Sequence, residues 1–571
     1  MINDKWPEIP AGLRCDVLEA RTLCEVIRHR ARCQKDKLYC TLIEHKEEQS
    51  ITFGELYERS LQYGTAMISY GLEAGERIAI MLPTGIEYLF SFFGALLVGL
   101  IPASIASPFL PRKIKFFIKD RAESLKTIGA SAIITSKRFQ KISQSIKDNV
   151  PGMKYLFVIE EMEQYPPSRD PEVEIKLHQA AMIQFSSGSN GKQKGVALTH
   201  SNLMSNIKAV HLAMGTTPED VNVSWLPLYH DMGLIGCVCG ALFAGCQVIL
   251  MSPTMFMSSP ISWLRVMHNK SGTISVAPNF GYQLCIDRGD KLKLGEIDLS
   301  RWRMALNGSE MVVEDTLVRF AEKFGSLGFR RETFMPVYGL AEAAVAVCFT
   351  PPNTGALVDQ VNPRLFVTEG IAEPTGDIAT STSFVSVGKP IPGVEVRIVN
   401  RTGTEVDERI QGKLLVRSPS VMVGYFNDRM ATREVLSDGW LDTGDLAYRM
   451  GEYIFITGRS KDIIIKAGKN YHPEQFEQAA GNISGIRRGS VAAFGVLSPE
   501  RGTEEIVVMA EARIREKQDE KILVQAVKRA ISKKVELTPD EVVIVPPQTI
   551  PKTTSGKVQR SLCRQLYLKG K

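Results

Sequence analysis

With 571 residues the chain is too long for a single hydrophobic core, so two to four domains are expected. Hydrophobic residues make up 44% and charged residues 23%, with no repeat or low-complexity tract, which excludes a disordered or fibrous protein. A formal charge of +6 is small for this length and argues against nucleic acid as the main partner.

The opening stretch Met1-Ile-Asn-Asp-Lys-Trp-Pro-Glu has no basic segment followed by an apolar one, so a cytoplasmic chain is expected. Ten cysteines without a metal-spaced CxxC pair fit that address as buried free thiols. Arg77-Ile-Ala-Ile-Met-Leu predicts a buried strand and Tyr88 to Ile101 a buried helix. The uncharged run Tyr88 to Leu110 is broken by Pro102 and Pro108, so no integral membrane association is expected. Strands at Ala132-Ile-Ile-Thr and Tyr155-Leu-Phe-Val-Ile continue an alternation with helical stretches, which implies an α/β body of parallel sheets covered by helices.

After Ser383 the pattern becomes Val394-Glu-Val-Arg-Ile-Val, Lys413-Leu-Leu-Val-Arg and Tyr453-Ile-Phe-Ile, short strand-like pieces of a β-rich subdomain. A boundary is expected near Gly458-Arg-Ser-Lys-Asp462. It divides a large domain over 1–458 from a small α+β domain over 459–571, where Val491-Ala-Ala-Phe-Gly-Val and Glu505-Ile-Val-Val-Met-Ala-Glu flank the helical segment Lys521 to Lys534. The small domain carries 21 Lys and Arg against 13 Asp and Glu, a basic unit on a near-neutral body.

Two glycine-rich stretches point to an anion. In Phe185-Ser-Ser-Gly-Ser-Asn-Gly-Lys-Gln-Lys-Gly195, amide N–H groups, hydroxyls and lysines could surround phosphate oxygens. It is not a P-loop, which would need Gly at 186 and Ser or Thr at 193, where this chain has Ser186 and Gln193. Alone it would read as a polar turn. A second Ser-Gly-Lys unit, in Pro551-Lys-Thr-Thr-Ser-Gly-Lys-Val-Gln-Arg560, lies in the basic domain and suggests one anion handled from both sides.

Together, Ser186 to Gly195, Tyr338-Gly-Leu-Ala-Glu342, Trp440-Leu-Asp-Thr-Gly-Asp445, Gly458-Arg459 and Ser555-Gly-Lys557 resemble the successive signatures of the adenylate-forming superfamily of acyl-CoA synthetases, peptide-synthetase adenylation domains and luciferases. The resemblance implies that a carboxylate attacks the α-phosphate of ATP, with Mg²⁺, to give an acyl-adenylate and pyrophosphate. By it, Ser186, Ser187, Gly188, Ser189, Asn190, Gly191 and Lys194 would hold the departing phosphates, Asn190 standing where the family commonly has Thr. Tyr338, with Gly339 beside it, would flank adenine, and Glu342 would coordinate Mg²⁺. Asp445 and Arg459 would meet the ribose. Lys557 would be the catalytic lysine, and Lys461 the hinge about which a mobile small domain swings.

The phrases Ser224-Trp-Leu-Pro-Leu-Tyr-His-Asp-Met-Gly-Leu-Ile-Gly236, Ala277-Pro-Asn-Phe-Gly-Tyr282 and Ala305-Leu-Asn-Gly-Ser-Glu310 resemble the fatty acyl-AMP ligase branch. In that branch His230 would sit near the reacting carboxylate, and Asn307 and Gly308 near adenine. The stretch from Pro351 to Pro374 looks like the insertion thought to hinder the arrangement that coenzyme A needs, or else is an ordinary surface loop. The branch implies a fatty acid substrate and transfer to an acyl carrier protein of polyketide or peptide synthase type, whose acidity the basic domain would complement. Met232, Phe280 and Tyr282 are candidates for an apolar acyl pocket. The alternatives are a fatty acyl-CoA synthetase and a non-catalytic nucleotide-binding scaffold.

Overall fold

The computed structural model describes residues 16–44, 47–108, 114–166, 170–171, 173–187, 193–292, 295–378, 381–466, 469–498, 503–514, 516–535, 537–553 and 556–570. Two large sheets make the body. One has nine strands, in the order Lys389–Pro390, Cys348–Phe349, Phe334–Tyr338, Met304–Asn307, Ile274–Ala277, Val221–Ser224, Gln247–Met251, Leu38–Glu44 and Glu47–Thr52. The six from Phe334–Tyr338 to Leu38–Glu44 run parallel, and each strand beyond them on either side pairs antiparallel with its neighbour. Covered on both faces, such strands read as continuous apolar runs, and Ile274–Ala277 and Met304–Asn307 are buried throughout.

The second sheet has seven strands, in the order Gly424–Tyr425, Gln193–Thr199, Ala180–Ser187, Ile101–Ser104, Arg77–Ile80, Ala132–Thr135 and Tyr155–Val158. The uncharged run from Tyr88 is half helix and half sheet: Ile86–Leu97 is a buried helix and Ile101–Ser104 a buried strand. Among the described residues no helix is long and apolar enough to cross a membrane.

The β-rich part follows as a five-stranded antiparallel sheet built on Glu395–Val399, Gly412–Arg417, Trp440–Met450 and Tyr453–Arg459, with the short Leu436–Ser437. The segment from Pro351 is not an irregular surface loop. Its strand Val358–Val361 pairs with Thr382–Val385, and its helix Pro363–Glu369 starts on Asn362, whose side chain accepts the Arg364 and Leu365 N–H groups. Val361, Phe366, Ala372 and Phe384 pack with Tyr448 and Phe455 in a core of their own. Asp359 fastens that core, accepting Arg409 at 3.0 Å and the Tyr448 hydroxyl at 2.8 Å.

The carboxy-terminal unit is a three-stranded sheet, Ile486–Ser498, Thr503–Ala512 and Glu541–Val545, and its two faces follow the alternation of side chains along a strand. Val491, Ala493, Ile506, Val508 and Ala510 face helices Pro473–Gly481 and Lys517–Val535 through Phe476, Ala480, Val527 and Ile531. Ala492, Phe494, Val507 and Met509 face helix Arg560–Gly570 through Cys563 and Tyr567. Arg560, on that last helix, is tied to Glu474, Glu477 and Asp462 at 2.9, 2.7 and 2.6 Å.

Candidate active site

Two of the predicted site residues, Asn307 and Tyr338, close parallel strands of the nine-stranded sheet at their carboxyl ends, the edge at which open α/β sheets bind ligands. Asn307 closes the strand Met304–Asn307. Its Nδ2 donates to Asn279 Oδ1 at 3.2 Å, while its own Oδ1 is buried without a hydrogen-bond partner. Gly308 follows, packed so closely that a Cβ there would lie 2.7 Å from the Val337 carbonyl oxygen.

Tyr338 closes the next strand. Its hydroxyl donates to Asp445 Oδ2 at 2.6 Å; burial first, and Asp445 beside it, push its pKa well above the ordinary tyrosine value and keep it a donor. Asp445 Oδ1 is 3.2 Å from Arg459 Nε, because the strands Trp440–Met450 and Tyr453–Arg459 pair these two residues directly. Gly339 has no room for a side chain: a Cβ would sit 1.7 Å from the Val345 carbonyl oxygen.

Glu342 lies on the single turn Ala341–Ala343 and accepts the Tyr425 hydroxyl at 2.9 Å. The Lys194 ammonium stands 4.4 Å from the centre of the Tyr425 ring, so one aromatic side chain links the cation and the carboxylate. Ser186 pairs with Lys194 across the hairpin of Ala180–Ser187 and Gln193–Thr199. Gly188, Ser189, Asn190 and Gly191, together with the side chain of Ser187, lie outside the described residues.

Lys557 comes from the carboxy-terminal unit. Its N–H donates to Thr553 Oγ1 at 3.0 Å, and Gly556, at φ +89°, takes the left-handed conformation the turn requires. Gly556 faces the half-buried Phe280, whose ring would be 3.3 Å from a Cβ there. Burial first and Arg459 next lower the Lys557 pKa, while Asp231, Glu310 and Asp445 act to raise it. One crevice therefore holds charged groups from strands, loops and the carboxy-terminal turn.

His230 is half-buried, with Nδ1 2.6 Å from Asp231 Oδ1. Met232 is also half-buried, and Lys461 is exposed. Tyr282 requires a correction. It is fully buried among Trp263, Trp302, Phe320 and Phe334, and its hydroxyl donates to the Leu306 carbonyl at 2.8 Å, so it belongs to the core rather than to a pocket wall. Three residues had no assigned role in the sequence. Asp231 and Glu310 stand inside phrases that mark the site, whereas Tyr425 reaches Glu342 across 83 positions and has no local signal.

Chemically, the crevice can accept hydroxyl groups at Asp445, offer a hard oxygen to a cation at Glu342, and meet anions with Lys194 and Lys557. Residues 27–426 match the family described as AMP-binding enzymes. The chain is 31% identical to the long-chain-fatty-acid–AMP ligase FadD26 of Mycobacterium marinum over 91% of each chain. It is 30% identical to the medium-chain-fatty-acid–acyl-carrier-protein ligase JamA of Moorena producens, over 97% of this chain and 96% of that one. A solved structure from a study of fatty acyl-adenylate ligases of E. coli and L. pneumophila superposes with a TM-score of 0.90 at 30% identity, covering 97% of this chain and 99% of that chain. Another, an L. pneumophila fatty acyl-adenylate ligase in complex with acyl adenylate and pyrophosphate, gives 0.73 at 28% identity, covering 99% of this chain and 98% of that one.

Proposed function

This chain belongs to the family of AMP-binding enzymes, and from that premise we propose that it is a fatty acyl-AMP ligase, which joins a fatty acid to AMP from ATP and releases pyrophosphate. The observation that carries the reading is the delivery of Lys557 by the carboxy-terminal unit into the same field of charges as Asp445, Arg459 and Asp231. A carboxylate oxygen forms a bond to the α-phosphorus while the bond to the β-phosphate oxygen breaks, and pyrophosphate leaves with the electron pair. No proton need move. The obstacle is repulsion between two anions, so catalysis comes from placing them and neutralising charge.

Each residue supplies part of that. Asp445, held by Tyr338 and Arg459, accepts the ribose hydroxyls. The buried, unpartnered Asn307 Oδ1 is an acceptor suited to the adenine amino group, with Tyr338 along the base. The loop from Ser186 to Lys194 holds the departing phosphates, and Lys557 meets the carboxylate and α-phosphate. His230 orients the carboxylate, and Met232 and Phe280 line the start of the acyl path.

Mg²⁺ fits the donor set. Among the described residues no group of three or more His, Cys, Asp or Glu could hold an ion unaided, so Glu342 would hold it together with phosphate oxygens and water. That ion supplies charge neutralisation on the phosphates. Free thiols support a reducing, cytoplasmic setting: the nine described cysteines form no disulfide.

The unit from residue 459 onward turns about Lys461 after adenylation and admits a carrier protein of polyketide or peptide synthase type. The likeness to JamA, a fatty-acid–acyl-carrier-protein ligase, and the basic surplus after Arg459 support that acceptor. Phe366 of helix Pro363–Glu369 packs on His472 with ring centres 5.6 Å apart and must part from it if the unit turns, a restraint that the larger interface of a docked carrier protein can offset and coenzyme A offsets less. The test is product analysis with ATP, Mg²⁺ and fatty acids of several lengths, with and without coenzyme A or a phosphopantetheinylated carrier protein. Acyl-AMP that persists with coenzyme A and is consumed by carrier protein is the expected result. Acyl-CoA would make the chain a synthetase, and absence of pyrophosphate would leave a nucleotide-binding scaffold.

A further inference from the structure

The hairpin of Ala180–Ser187 and Gln193–Thr199 turns its two faces to different neighbours, because successive side chains of a strand point to opposite sides. Ser186 and Lys194 share one face, and there the Lys194 ammonium reaches the Tyr425 ring, whose strand pairs Tyr425 with Val196. Gln193 and Gly195 share the other, which lies against the helix Ile114–Ile128. Contact there is close: a Cβ at Gly195 would stand 3.0 Å from Ile128 Cγ2. Leu125, Ile128 and Ile183 make that interface apolar, with Gln193 as a polar residue at its end.

Gln193 has a dedicated partner. Its Oε1 accepts from Arg121 Nη1 at 2.5 Å, and Ser124 Oγ, one turn further along the helix, stands 3.3 Å from the same oxygen. Arg121 is buried. Its guanidinium lies 5.5 Å from the centre of the Phe117 ring and its Nη2 is 3.0 Å from Asp120 Oδ2, while its Nε is buried without a hydrogen-bond partner. A guanidinium taken out of water with one donor unused is a costly way to stabilise a fold. What it provides is a charge-assisted bond of fixed geometry to one residue of the hairpin. The same helix reaches the neighbouring strand, since Asn427 Nδ2 donates to the Thr127 carbonyl at 3.0 Å and the Phe426 N–H donates to the Gly195 carbonyl at 2.7 Å. One helix therefore braces, from behind, the two strands that carry Lys194 and Tyr425.

We propose that Arg121 and Gln193 are positioning residues for the departing pyrophosphate. Their bond fixes which face of the returning strand is turned inward, so that Lys194, next in sequence and on the opposite face, presents its ammonium to the phosphates. A slip of one residue would turn Lys194 into the helix and Gln193 toward the crevice. The proposal rests on the ligase reading above. Arg121 and Gln193 act through Lys194 alone, so their effect is confined to the pyrophosphate side of the nucleotide and leaves the AMP side, at Asp445, Tyr338 and Asn307, as it is.

Gln193→Leu keeps the bulk of the side chain and removes the acceptor. The expected result is a rise of about tenfold in KM for ATP and in the Kd of pyrophosphate with Mg²⁺, read by calorimetry, with the Kd of AMP unchanged. Arg121→Met should do the same, and the double variant should be no worse than the more affected single one, because both remove one bond. Arg121→Lys, which keeps a cationic donor, should return part of the loss. A merely structural role would weaken AMP and pyrophosphate alike, and the two single effects would add. Should the Arg121 variants fail to fold, Gln193→Leu at the half-buried partner decides alone. Wild-type affinity for pyrophosphate in that variant, or a loss shared equally by AMP, would overturn the proposal and leave the ligase intact. Failure of the wild-type protein to form acyl-AMP would instead overturn the ligase reading.

Discussion

The carboxy-terminal unit meets the body at two ends, and the two contacts are chemically opposite. At the crevice the contact is charged: Lys557 among Asp231, Glu310 and Asp445, with Arg488 3.6 Å from Asp287 nearby. At the other end it is apolar, with Phe366 on His472 and Val367 against the core formed by Ile464, Tyr471 and Phe476. Charges respond to salt and to whatever anion occupies the crevice, whereas buried apolar area does not. The unit is thus held near the chemistry by forces the reaction itself changes, and away from it by forces the reaction leaves alone.

The largest expected effect breaks the charged end. Lys557→Ala should slow acyl-AMP formation by about 10²- to 10³-fold, while calorimetry still detects ATP binding; near-normal adenylation would remove this lysine from the mechanism. Breaking the apolar end should do something different in kind. Phe366 is 2% exposed, and Phe366→Ala should cost about 3 kcal/mol in urea unfolding, retain adenylation, and allow some acyl-CoA to form. A folded, adenylating variant that makes none would sink the idea that this contact restrains the unit.

The two ends should also part with pH. His472 is 2% exposed, and burial first and Arg560 next push its pKa from 6.5 down to about 4. The unfolded chain takes up that proton near pH 6.5 and the folded chain does not. Stability present above 6.5 is therefore lost as pH falls toward 4, by about 2 kcal/mol at pH 5. His200, buried in the body with a pKa also lowered to about 4, adds a similar loss. His472→Gln should remove only its own share, read from unfolding curves at neutral and mildly acidic pH. The smallest effect belongs to salt: raising ionic strength tenfold should weaken protection of the Lys557 turn from proteolysis by a few-fold and leave the Phe366 contact unchanged.

Much of the fold was legible because its strands are short apolar runs and its helices follow them in order: Ala132–Thr135 and Tyr155–Val158 lie where periodicity puts them. The segment after Pro351 was harder. Its strand Val358–Val361 finds its partner only at 382–385, beyond a helix, so no local turn announces the pair. At the site, Tyr338, Glu342 and Asp445 stood out through their short phrases. Their supports did not: Tyr338 reaches Asp445 across 107 positions, and Tyr425 carries no mark of its bond to Glu342. Tyr282 failed for a related reason, since an aromatic residue beside Phe280 looks the same whether it faces a pocket or, as here, four aromatic rings of the core.

The two rims of the nine-stranded sheet have a consequence for how this chain behaves when concentrated. One rim is Lys389–Pro390, two residues long, where proline offers no N–H to a newcomer. The other, Glu47–Thr52, points exposed carboxylates outward, and Glu48 is already paired with Lys270 at 2.6 Å. Neither rim is a template for another strand, so the sheet is closed to edge-to-edge aggregation without being rolled into a barrel.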